Sequence, residues 1–253
     1  MGNNDSFPAV FSDLMELWRK APSPVRFPTG DWTREDKSRA AVVALSWGWL
    51  VRMIRSAEAA LLLQQNGFRQ EAAPLERTAL EHSMRLHWAI TARTTAFEIA
   101  LRTRSASIHR MKKAQSDSWS FTDEQLATMD AEVDEASQDF QSLDNLQHLK
   151  HVVDQDPALK ASYMAWLKLS QLSHPTIESA RPYYEKMSSD PGYELHMEPL
   201  HPADSVESRM AHAVMLGLVG YASIAGLNDH FLDAVGRLAA RWTALVKGDE
   251  LGV

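Results

Sequence analysis

Arg77, Glu81, His82, Arg85 and His87 fall within one largely apolar stretch, Leu75 to Ile90 (LERTALEHSMRLHWAI). Arg77, Glu81 and Arg85 step by four, so on a helix Glu81 reaches either arginine. Arg77, Glu81, Met84 and Trp88 share one helical face. Charge set into an apolar surface costs on the order of several kcal/mol unless it is paired. Such residues are therefore a structural lock or a chemical site. A second set lies in Leu169 to Pro175 (LSQLSHP), with Ser170 and His174. Pro175 disfavours α conformation at His174, which places this histidine at a helix C-terminus. There the helix dipole favours imidazolium, and histidine and serine can also satisfy terminal carbonyls. If Glu81 and His174 converge on a pocket, they form an acid–base pair.

Helices must position these groups. Ser6 to Lys20 is amphipathic and is followed by the proline-rich APSPVRFPTGDW. Thr33 with Asp36 resembles a capping box and opens a long helix that stops at the turn Asn66–Gly67. The next helix enters near Arg69, tolerates Pro74 in its first turns, and continues or breaks near Thr94, with a further stretch to about Lys113. Thr122 with Gln125 caps an acidic helix reaching about Leu143, and Asp156–Pro157 opens the segment that ends at His174. Ser188 to Ala203 reads as an exposed loop. Asp204 with Glu207 caps a hydrophobic helix, and Asp229 to Lys247 is amphipathic. No sustained alternation marks a strand. The fold class is all-α, a multi-helix bundle in a single domain. Residues 1–32 form an N-terminal helix and linker, 33–247 the bundle, and 114–155 a peripheral helical insertion.

Several function classes drop out. The 253-residue chain has no cysteine, which excludes disulfides, zinc–thiolate sites and a cysteine nucleophile. A formal net charge of −7 argues against broad nonspecific nucleic-acid binding, so no DNA partner is expected. No glycine-rich phosphate loop, GxSxG elbow or HExxH occurs. Glu198–His201 is a Glu-x-x-His with Pro199 inside it, and His148–His151 reads as a solvent-facing pair, so no metal site and no cofactor are expected. Met210 to Asn228 lacks formal charges over 19 residues, but its polar residues and glycines suit a core helix with close neighbours better than a membrane span. The N-terminus shows no secretory signal, and the expected location is cytoplasmic.

The segments NGFRQEAAPLERTALEH and YMAWLKLSQLSHP together resemble an all-helical bacterial family of unknown function, over about Arg39 to Pro175. That resemblance carries over Arg77, Glu81, Ser170 and His174. A looser one is to HEPN-type helical domains, which cut RNA with an arginine and a histidine a few residues apart. It implies a metal-independent endoribonuclease of a toxin or phage-defence system. In it His82 takes the proton of a ribose 2′-hydroxyl and Arg77 stabilises the phosphorane, with Thr78 a loose match to the polar residue that follows the arginine. Positions five apart lie about 140° apart on a helix, a poorly shared face.

Three readings follow. In the leading one the chain is a non-catalytic binding or regulatory module. Arg77 and Glu81 then join a network with Arg52, Arg55 or Arg85, and Ser170, Arg85 and Trp88 are binding residues. The second is the HEPN-like ribonuclease. The third is a small-molecule enzyme using Glu81 and His174. The expected partners are a second copy, an RNA or a protein, with no membrane. The acidic helix from Asp123 to Asp139 is a partner surface or a solvated face.

Overall fold

A computed structural model describes residues 6–21, 33–115, 120–136, 148–187, 192–200 and 206–250. Residues 22–32 of the linker, the acidic helix beyond Ala136, His201 and the Asp204 cap lie outside them. Among the described residues the chain is an all-α bundle of ten helices with one two-stranded sheet.

The helices start where cap chemistry starts them. Ser6 accepts the Ala9 N–H and opens α1, Phe7–Arg19. Thr33 and Asp36 close a reciprocal capping box on α2, Arg34–Gln65, which ends at Asn66 followed by Gly67 with φ +89°. The third helix, α3, spans Ala73–Ala92, with residues 69–72 in turns before it. Its start falls later than the periodicity suggested because Pro74, which has no N–H to donate, sits in the first turn. Arg93, at φ +50°, breaks the chain between α3 and α4, Thr94–Lys113.

Thr122 and Gln125 cap α5, Asp123–Ala136, and α6 spans Leu149–Gln155. Asp156 accepts from Ala158 N–H at a single 3-10 turn that leads into α7, Lys160–Leu172. A short α8, Ile177–Ala180, precedes the strands. Two strands that the sequence pattern did not reveal follow: β1, Tyr184–Lys186, pairs antiparallel with β2, Tyr193–Leu195. Three residues are too few for alternation to register. The fold closes with α9, Val206–Ala225, and α10, Asp229–Glu250.

The uncharged segment is α9, the central helix, packed on α1, α2, α3 and α10. Among the described residues no helix is long and apolar enough to cross a membrane. Close approach needs its glycines. A Cβ on Gly220 would meet the Leu86 carbonyl carbon at 2.6 Å and the His87 nitrogen at 2.9 Å, both backbone atoms of α3. Packing therefore holds α3 between α9 and α2, while α7 covers its remaining side. Within 114–155, α5 lies on α4, and α6 lends Leu149, Val152 and Val153 to the core.

Candidate functional site

One ion pair locks α3 to the central helix. Glu76 is 1 % exposed, and Arg209 of α9 donates its Nε–H to Glu76 Oε2 at 2.6 Å. The apolar stretch thus buries Glu76, not the Glu81 that the sequence pattern singled out. Both glutamates are flanked by apolar residues, and only the packing of α9 on α3 decides between them.

Arg77, Glu81 and Arg85 form the adjoining stripe, which faces α7 and solvent. Glu81 Oε2 lies 3.8 Å from Arg77 Nη2, and Glu81 Oε1 lies 3.8 Å from Arg85 Nε. Arg77 and Glu81 are about equally open, 29 % and 30 % exposed, and Arg85 is 16 % exposed. Burial pushes the Arg85 guanidinium below its usual range, and the Glu81 carboxylate opposes that shift.

Helix α7 completes the arrangement. Trp166 and Ser170, one turn apart, meet the stripe together. Arg77 donates Nε–H to Ser170 Oγ at 2.8 Å, and Ser170 donates its own hydroxyl to the Trp166 carbonyl at 2.8 Å. The Trp166 indole N–H points at Glu81 Oε2, 3.3 Å away, and the Arg77 guanidinium carbon lies 4.9 Å from the Trp166 ring centre. Tyr163 stacks on Trp166 with centroids 5.6 Å apart and planes 12° apart. Arg77, Ser170, Trp166 and Glu81 therefore form a closed cycle across two helices. The sequence pattern does not single out Trp166. Its spacing of four from Ser170 was the available signal.

The remaining sequence-derived candidates lie elsewhere. His82 is largely enclosed, with Nδ1 2.8 Å from the Thr78 carbonyl. A carbonyl only accepts, so the neutral ring carries its proton on Nδ1. Burial lowers its pKa, the Thr78 bond and Glu81 oppose that, and Arg52 and Arg85 add to it. No hydrogen bond or ion pair joins His82 to Arg77. His174 follows the last turn of α7, exposed, with its carbonyl accepting from Thr176 N–H. The helix end is satisfied by Ser173, which donates to the Leu169 carbonyl, and by Thr176, which donates to Gln171. Trp88, expected among the binding residues, is buried. Its indole N–H bonds Gln155 at 2.9 Å and ties α6 to α3. His87 Nε2 pairs with Asp156 Oδ2 at 3.1 Å, just before α7. The ring centroids of His148 and His151 are 6.3 Å apart.

The model of a family of unknown function, DUF5677, matches residues 43–221, and the chain belongs to that family. The match includes the whole of α3 and α7 and most of α2 and α9. No curated protein and no solved structure matches.

Proposed function

We propose that this member of a family of unknown function is a non-catalytic helical binding module of the cytoplasm, with the outer face of α3 and α7 as its recognition surface. The observation that supports this best is the closed cycle Arg77–Ser170–Trp166–Glu81. Each polar group in it already has a protein partner, and both carboxylate oxygens of Glu81 face cations or an N–H. An acid–base catalyst needs a free lone pair or proton facing substrate. A recognition surface needs rigid, pre-positioned side chains with some area open to solvent. Arginine and stacked aromatics in a half-open setting are the residue types that carry binding energy at interfaces. The partner expected there is macromolecular, an RNA, another protein or a second copy of the chain.

Two measurements on tag-free protein test the reading. Total RNA incubated without added metal should remain intact with the wild-type chain. Fragments that disappear in a folded His82→Ala variant would replace this reading with the ribonuclease. A melting-temperature screen against short RNAs and candidate peptides should find ligands that raise the melting temperature of wild type but not of Trp166→Ala. Ligands that stabilise both proteins equally would remove the α3–α7 face as the recognition surface.

A further inference from the structure

We propose that the β1–β2 hairpin carries a divalent transition-metal site built from Glu185, Glu194 and His196, with Zn²⁺ as the ion that fits its donors best. This site is remote in sequence from the α3–α7 face and does not rest on the reading given to that face.

The antiparallel register places Glu185 directly opposite Glu194. Directly opposed residues share a face of a two-stranded ribbon, and His196, two residues beyond Glu194, falls on that same face. The three side chains offer one ligand atom each, and these atoms all lie within 4.8 Å of one another. Among the described residues no other group of three metal-ligating side chains lies so close together.

Two further features point to a cation. Like charges directly across a strand pair repel, and this hairpin sets two glutamates opposite each other in one of its three cross-strand pairs. Alongside, His196 Nε2 is fully enclosed and makes no hydrogen bond, although Glu185 Oε1 is 3.7 Å away. A buried ring nitrogen without a partner is disfavoured, and a metal ion would satisfy it while neutralising both carboxylates. The scaffold is tied down at several points. His196 donates its backbone N–H to the Tyr183 carbonyl at 2.9 Å, and Leu200 donates to the Pro182 carbonyl at 2.7 Å. The Tyr183 hydroxyl bonds Glu71, just ahead of α3, and burial with that carboxylate pushes the Tyr183 pKa up to about 12.

The donor set, one imidazole and two carboxylates with no thiolate, suits zinc or manganese at neutral pH and leaves coordination positions for water.

The test is titration of tag-free, chelator-dialysed full chain with Zn²⁺ against a chromogenic chelator. Wild type should bind one equivalent. Glu194→Gln and His196→Gln should each weaken binding by at least about tenfold, the effect expected when a metal site loses part of its support. Both substitutions lie on an exposed hairpin, and an unchanged helical circular-dichroism spectrum establishes that the variants are folded. Zinc bound equally well by wild type and both variants would overturn the proposal and move the ion to another site, such as His148 and His151. Absence of stoichiometric binding by wild type would overturn it too.

Discussion

Removing one carboxylate from α3 should separate the lock from the surface cluster. Glu76 is 1 % exposed, and its bond to Arg209 is 2.6 Å long. Glu76→Ala removes this carboxylate from a guanidinium that is itself only 22 % exposed. Losing one partner of a buried pair costs about 3–5 kcal/mol. Glu81 differs in three respects: it is 30 % exposed, its two ion pairs are 3.8 Å long, and Arg77 keeps Ser170 and the Trp166 ring when Glu81 is gone. Water reaches the Glu81 carboxylate, unlike that of Glu76, and at 3.8 Å its ion pairs contribute about 1 kcal/mol. Glu76→Ala should therefore destabilise the chain by about 2–4 kcal/mol more than Glu81→Ala, the difference of those two ranges. Urea unfolding at pH 7 reads this as a shift in midpoint at constant slope. In thermal unfolding, each kcal/mol corresponds to roughly 2–4 °C for a chain of this size. Equal losses, or a larger loss for Glu81→Ala, would refute the assignment of Glu76 as the buried anchor. That outcome would also mean that α9 does not hold α3 through Arg209.

Three more outcomes follow from the same contacts. Gly220→Ala should destabilise by about 1–3 kcal/mol, since its methyl meets rigid α3 backbone, whereas Gly236→Ala in open space should stabilise by about 0.5–1 kcal/mol; paired urea midpoints check both signs. His82 and His212 both have folded-state pKa values lowered below 6.5 by burial, so below that value the unfolded chain binds more protons and stability falls as pH drops through the window beneath 6.5. Comparing urea midpoints at pH 7.5 and 5.5 should show that loss, and a smaller one in His212→Asn, whose wild-type ring sits 2.8 Å from Ser162 Oγ. Trp166→Phe keeps a ring beneath Arg77 and removes only the N–H to Glu81, an expected loss of about 0.5–1.5 kcal/mol. Trp166→Ala should lose more, because the cation–π contact goes as well, and a double-mutant cycle with Arg77→Ala measures that coupling.

Local chemistry made much of the fold legible without coordinates. Thr33 with Asp36, Thr122 with Gln125 and the Asn66–Gly67 turn mark helix boundaries by bonds made within a few residues. The uncharged, glycine-bearing run from Met210 likewise identified a central helix, because only small residues let two backbones come this close. The i, i+4 spacing of Arg77, Glu81 and Arg85 predicted their pairing for the same local reason. Tertiary structure alone decided which glutamate of α3 is enclosed, since Glu76 and Glu81 have similar neighbours in sequence and differ only in facing α9 or α7. It decided too that Trp166 joins Ser170 at the cluster, that Trp88 turns inward to Gln155, and that Glu185 faces Glu194 across a hairpin. Each of these depends on which surface packs against a residue far along the chain, and periodicity carries the direction of a side chain but not the identity of what it meets.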